Sequence, residues 1–223
     1  LGKIRYVRNT MYVLTRQFIP TAFAATRKMA EPKSEAYSKF LGISEKEYKL
    51  ISKRIIELLR GKGGKTTKSI KEELGSKLNI SPIVNLMCDQ GLLIRGAPQK
   101  GWKSNLHTYH LFNEYFSNIR LDRVGEADAR RMVVEVYIST FGPVTETDIA
   151  WWTGFPQSQI SQIINDLKDK VAHVETSAAG DDYLVSSQQI DSLMSMRPIR
   201  RNVANLLPRL DPYVISYKER DRY

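Results

Sequence analysis

Lys62, Lys65, Lys68 and Lys71 crowd one short stretch of this chain, and further on "QKGWKSN" sets Trp102 between Lys100 and Lys103. Cations at such spacing can neutralise successive phosphates of a polyanion, and an aromatic ring among them can lie against a sugar or a base. The alternatives are a solvated lysine-rich helix face and a tryptophan folded back on its own hairpin. His107 and His110 are the other chemically capable pair. Three residues apart on a strand, their side chains point to opposite faces, and no further ligands lie near them in sequence. No metal site and no cofactor are therefore expected. Cys88 is the only cysteine, which excludes an internal disulfide and any thiolate-rich metal site and fits a reducing compartment.

The cations are unevenly distributed. Residues 1–77 hold 18 Lys and Arg against 7 Asp and Glu, a net of +11; residues 78–223 hold 16 against 17, a net of −1. A surplus confined to the first third is the footprint of a polyanionic partner, since each neutralised phosphate releases counterions. No apolar run reaches the roughly 18 residues that a membrane span needs. The polar, Arg-rich beginning also lacks the apolar stretch of a signal peptide. A cytoplasmic, nucleoid-associated protein is expected.

The elements that would position these residues follow from periodicity. Ile51, Ile55, Leu58 and Leu59 share one face of a helix. "GKGGK" breaks it, Thr66 or Thr67 caps a second helix carrying Ile70 and Leu74, and Ser81-Pro82 opens a third as N-cap and N1, with Ile83, Val84 and Met87 inward. Gly91 ends that helix, "QGLLIRG" enters a strand, "APQKGWKSN" is a loop, and "LHTYHLF" alternates as the returning strand. Three helices and a hairpin make a winged helix.

The pattern repeats about one domain later. Residues 130–141 form an amphipathic helix, Thr145 and Asp148 resemble a capping box, Ile160, Ile163, Ile164 and Leu167 line a helix face, and "VAHVETS" with "DYLVSS" makes a second hairpin. Thr67 and Thr145 are taken as equivalent positions. The fold expected is mainly α with small β wings, in tandem winged-helix domains: 1–47 a basic β-ribbon and helix completing a first winged helix, 48–125 a basic second one, 126–196 an acidic third one, and 197–223 the start of a C-terminal β module.

The two repeats carry opposite charge. Residues 48–115 hold 12 cationic and 5 anionic side chains, net +7, whereas residues 127–193 hold 4 and 10, net −6. The acidic module would repel DNA. Its third helix offers Gln157, Ser158, Gln159, Ser161 and Gln162 but no Lys or Arg before Lys168, so it reads as scaffold or as a docking surface for another protein. Of the adjacent Trp151 and Trp152, at least one should face the core.

The stretch "FGPVTETDIAWWTGFPQSQI" with the later "LLPRLDPYVISYKERDR" resembles the winged-helix DNA-binding family that includes the AlkZ and YcaQ DNA glycosylases. The family pattern "fGPat..D.a.WtGlp" followed by "LLP.fDpy..gyrdR" is met by Gly142, Pro143, Asp148, Trp152, Thr153, Gly154 and Pro156, then by Leu206, Leu207, Pro208, Asp211, Pro212, Tyr213 and Arg220. The front end "VRNTMYVL" resembles the family's "mRGTlh" strand, with Arg8 and Thr10 in place, Asn9 where Gly is usual and Tyr12 where His is usual.

The resemblance implies tandem winged helices around double-stranded DNA and metal-free removal of alkylated or crosslinked bases. The family's catalytic Gln-x-Gln or Gln-x-Asp pair precedes the "mRGTlh" strand, hence precedes Leu1 here. Gln157-Ser158-Gln159 spells the same pattern at positions where the family varies and is a coincidence. With Arg5, Arg8 and Arg16 holding the backbone, the expected DNA contacts are Arg5, Arg8, Thr10, Tyr12, Arg16, Lys62, Lys65, Lys68, Arg95, Lys100, Trp102 and Lys103. The competing expectation is a non-enzymatic transcriptional regulator or DNA-binding module.

Overall fold

The computed structural model describes residues 1–101, 104, 106–175, 182–197, 204, 206–208 and 210–219. The chain divides into two compact units, Leu1–Ala129 and Arg130–Tyr223. Helices and small antiparallel sheets make up both.

The first unit opens with strand β1 (Gly2–Arg5), a turn, and strand β2 (Met11–Leu14), followed by the long helix α1 (Ile19–Phe40). Helix α2 (Glu45–Leu59) begins at a capping box, in which Ser44 Oγ accepts from the Glu47 amide and the Glu47 carboxylate accepts from the Ser44 amide. A two-residue strand β3 (Lys65–Thr66), helix α3 (Thr67–Leu74) and helix α4 (Ser81–Asp89) lead into the hairpin of β4 (Leu93–Pro98) and β5 (His107–Leu111), which ends in the short helix α5 (Phe112–Tyr115). Ile51, Ile55 and Leu59 of α2 meet Ile70 and Leu74 of α3 and Ile83, Val84 and Met87 of α4 in one core. The periodic positions read from the sequence are those that water leaves.

Two local details differ from expectation. The cap of α3 is Thr66, whose hydroxyl accepts from the Ser69 amide, so Thr66 and not Thr67 is the counterpart of Thr145. Helix α4 starts at Ser81 itself. Ile80 therefore stands at the N-cap where Ser81 was expected, and the side chain of Asn79 accepts from the Ser81 amide, one of the first-turn donors that lack an intrahelical partner.

The sheet order is β2-β1-β4-β5-β3, all antiparallel. The β1–β2 ribbon thus adds to the β4–β5 hairpin instead of standing apart, and α1 packs on α4. The expected boundary near residue 47 falls inside this unit.

The second unit contains most of helix α6 (Glu126–Phe141), then α7 (Glu146–Thr153), α8 (Gln157–Asp166), the hairpin of β6 (Val171–Glu175) and β7 (Asp182–Ser186), and the short helix α9 (Ile190–Met194). Val144 bridges Leu184 just as β3 bridges β5. Helices α3 and α7 have the same length, a Thr N-cap each, and left-handed C-caps at Gly75 (φ +61°) and Gly154 (φ +74°), where an L side chain is strained. Trp152 is buried against Tyr137 and Phe141.

Residues 211–218, which the sequence places in the start of a C-terminal β module, form a turn and a short 3-10 helix (Val214–Ser216). Asp211 Oδ1 accepts from the Tyr213 and Val214 amides, a local bonding pattern that competes with strand formation. This segment is fastened by Tyr137 Oη donating to the Ser216 carbonyl (2.5 Å), Tyr217 Oη donating to the Phe141 carbonyl (2.6 Å), and the Lys218 amide donating to Asp148 Oδ1 (2.8 Å). Among the described residues of 197–223 there is no strand. Arg220 lies outside the described residues.

Asp148 is 1% exposed and serves two ends at once. Its Oδ2 accepts from the Thr145 amide and hydroxyl, and its Oδ1 holds the Lys218 amide. Replacing it removes the N3 half of the α7 capping box and leaves the Thr145 and Lys218 amides without this acceptor, so Asp148→Ala should lower unfolding free energy by about 2–4 kcal/mol. The exposed neighbour Thr147→Ala should stay within about 0.5 kcal/mol; urea unfolding of both variants tests the contrast.

Candidate nucleic-acid interface

Directly opposed residues on antiparallel strands share a face. Val13 opposes Lys3, Lys3 opposes Arg95, Arg95 opposes Tyr109, and Tyr109 opposes Lys65, which makes one row across all five strands. Arg5, opposite Met11, extends the same face toward the β1–β2 turn. Three cations thus sit in line across the sheet, with Arg5 beside them.

The row is not uniformly open. Arg95 is 7% exposed, its guanidinium donates to Asn85 Oδ1 (2.5 Å) and it lies 5.8 Å from the centre of the Tyr109 ring. Arg95 therefore belongs to the interior, contrary to its expected place among surface contacts, because α4 covers that part of the face. Arg5 Nε lies 3.2 Å from Asp89 Oδ1, an ion pair by distance without the alignment of a hydrogen bond, and Arg5 Nη1 donates to Asn9 Oδ1 (3.2 Å). Asp89 also accepts from Ser34 Oγ; burial raises its carboxyl above the usual range against the pull of Ser34, Arg5 and Arg95. Arg5 is thus a strut between the turn and a buried carboxylate.

The turn from Tyr6 to Thr10 is unusual. Arg8 (φ +51°) and Asn9 (φ +59°) are both left-handed, closed by the Tyr6 amide on the Thr10 carbonyl (2.9 Å) and by Thr10 Oγ1 on the Val7 carbonyl (3.1 Å). Asn is the side chain that best tolerates this conformation after Gly, which explains Asn9 at a position where the resembling family carries Gly. Tyr12 packs edge-on against buried Tyr6 at 5.3 Å, and burial raises the Tyr6 hydroxyl far above its ordinary value.

The remaining expected contacts fall as follows. Arg16 is exposed and its guanidinium lies 5.6 Å from the centre of the Phe116 ring. Lys62 and Lys68 are exposed, the latter 3.9 Å from Glu72, whereas Lys65 is bound to Glu73 at 2.7 Å. Lys100 is exposed in the connection between β4 and β5 with φ +65°. Trp102 and Lys103 lie outside the described residues. The structure also brings in Lys3 and Asp89, which were not among the sequence candidates. Outward alternation in "GKIR" marked Lys3; nothing local marked Asp89, whose partners are 84 and 55 residues away in sequence.

In the second unit the polar side chains of α8 are largely committed to their own fold. Gln157 Nε2 and Ser161 Oγ both donate to Glu146 Oε2 (3.0 and 2.6 Å), and Arg130 donates to Gln159 Oε1 (2.6 Å) while lying 4.8 Å from the centre of the Phe155 ring. Among the described residues no group of three or more His, Cys, Asp or Glu is placed to hold a metal ion, and no helix is long and apolar enough to cross a membrane.

With this geometry in view, the chain can be placed. The model of the AlkZ-like DNA glycosylase family matches residues 3–223, and the chain belongs to that family. Among solved structures it is similar to the Streptomyces sahachiroi DNA glycosylase AlkZ, at 16% sequence identity and a TM-score of 0.68, over 89% of this chain and 55% of that one. The chain thus spans about half the length of that relative. No curated protein matches it.

The left-handed turn makes a sharp distinction between side chains at position 9. Asn9→Gly should change stability by less than about 1 kcal/mol, whereas Asn9→Val should cost about 2 kcal/mol, since a β-branched residue is strained at positive φ. Thermal or urea unfolding reads the difference.

Proposed function

We propose that this chain is the duplex-holding part of a DNA glycosylase, built of tandem winged helices, with residues 48–125 and the β1–β2 ribbon gripping the phosphate backbone and residues 126–196 serving as a scaffold. The reading rests on one observation: a family match over residues 3–223 falls on a chain whose cationic surplus is confined to its first third. The architecture supports it, since each unit repeats the order helix, bridge to the returning strand of the hairpin, helix, helix, hairpin, the bridge being strand β3 in the first unit and the single residue Val144 in the second. Both hairpins are then wings. Cytoplasmic association with the nucleoid follows as part of the same proposal.

In this reading Lys62, Lys68, Lys100, Arg16 and the ribbon around Arg8 supply sequence-independent contacts that position the protein on duplex DNA. The residues described hold the clamp, and the resemblance places the reacting carboxamide or carboxylate pair ahead of the β1–β2 ribbon. A pair there would set water against C1′ of an alkylated or crosslinked nucleotide. A second reading, a DNA-binding module without chemistry, is favoured by Tyr12 at the position where the family carries His. An imidazole offers a ring nitrogen that can take up a proton near neutral pH, and a phenol has no such nitrogen.

Binding should weaken steeply with salt, and each of Lys62→Gln, Lys68→Gln and Lys100→Gln should reduce the slope of log K against log salt by about one, evenly across duplex sequences. Base release from alkylated duplex, assayed without metal in protein carrying the upstream residues, separates the readings. Duplex affinity with no release and with preference for one sequence in footprinting would establish the second; no duplex affinity at low salt would overturn both.

A further inference from the structure

Lys3 Nζ lies 3.1 Å from His107 Nε2. A lysine ammonium only donates, so Nε2 is the acceptor, the ring proton is on Nδ1, and the imidazole is neutral. His107 Nδ1 is buried without an aligned acceptor, although the Gly96 carbonyl lies close enough to favour the charged ring. Neither Lys3 nor His107 pairs with a carboxylate among the described residues. Lys3 also stands directly opposite Arg95, and like charges facing each other across strands are destabilising. Lys3, Arg95 and the His107 imidazole thus gather on one face of the sheet with no carboxylate on Lys3 or His107, while Asp89 acts on Arg5 and Arg95.

We propose that Lys3 and His107 form a phosphodiester-binding site of the duplex interface, in which His107 takes up a proton when a backbone phosphate is bound. The proposal rests on the duplex-holding function above and deepens it. The charged groups facing the imidazole are Lys3 from β1 and Arg95 from β4; Asp89 of α4 acts on Arg5 and Arg95. Both side chains of the pair are partly exposed, so an incoming phosphate can reach them. On binding, the ammonium turns from Nε2 to a phosphate oxygen, one proton passes from solvent to Nε2, and the imidazolium donates to a second oxygen. The only bonds that change are the O–H bond of the solvent acid, which breaks, and the Nε2–H bond, which forms; the phosphodiester stays intact.

Without an anion, burial first and then the Lys3 and Arg95 charges hold the His107 pKa below its ordinary value. A phosphate beside both groups reverses the balance of charge and raises it. The added affinity is therefore present below the free-protein pKa and disappears as pH rises through the bound-state pKa. A rise of one unit corresponds to about a tenfold gain in affinity at the acidic end.

The test uses the full chain and a short duplex at constant salt, with affinity measured by fluorescence anisotropy from about pH 8 down to about pH 5.5, the range in which imidazole titrates. Wild type should gain affinity on acidification by several-fold more than His107→Gln, and Lys3→Met should reduce the salt slope by about one. In parallel, the imidazole proton signals of the three histidines are followed by NMR with and without duplex. The His107 signal should titrate at higher pH in the complex, while His110 and His173 need not move. If His107→Gln does not fold, this titration of the wild type decides alone. Duplex binding with the same pH profile in His107→Gln, or with an unmoved His107 pKa, would overturn the proposal and leave the duplex reading intact. So would a shift produced by inorganic phosphate but not by duplex. Absence of duplex binding at every pH would remove the duplex reading and this site with it.

Discussion

The backbone pairing of Lys3 with Arg95 is the constraint on which the first unit depends. It turns a basic ribbon and the β4–β5 hairpin into one five-stranded sheet, and it does so by setting two cations face to face. The arrangement persists because each cation has somewhere else to put its charge. Arg95 turns inward to Asn85 and the Tyr109 ring, and Lys3 turns to an imidazole nitrogen. Alongside them Arg5 reaches down to Asp89, which Ser34 of α1 also holds, so the turn from Tyr6 to Thr10 is braced from the interior. A ribbon braced in this way is already ordered before any ligand arrives.

The two units show how a single local design can be put to different electrostatic use. Helices α3 and α7 share their Thr N-caps, their length and their glycine C-caps, so the same hydrogen bonds start and stop them. Around the first lie exposed lysines. Around the second, Glu146 gathers Gln157 and Ser161, and Arg130 takes Gln159. A helix whose polar groups already bond to its own unit loses those bonds if it is to read base edges, whereas exposed lysines give up only water and mobile ions.

The two departures from the family pattern in the ribbon have different consequences. Asn9 keeps the backbone conformation that Gly allows and adds an acceptor for Arg5, so the turn survives the change. Tyr12 keeps an aromatic ring against Tyr6 but lacks the ring nitrogens of an imidazole. Geometry is conserved at the first and chemistry is altered at the second.

What the amino-acid order determined by itself is whatever depends on near neighbours: the core faces of α2, α4 and α8, the caps at Thr145 and near Thr66, the two hairpins, and the charge contrast between them. Helical and strand periodicity and capping act over a few residues, so they are legible in one dimension. The resemblance at residues 141–160 and 206–220 was legible for the same reason, being carried by short stretches. Only the tertiary structure decided that Arg95 faces the interior, that β1 joins β4, that Asp148 holds the backbone of Lys218, and that Lys3 meets His107. Each of these couples residues at least 70 positions apart or depends on which side of a sheet a helix covers, and strand register and burial are settled by packing of the whole unit rather than by local preference.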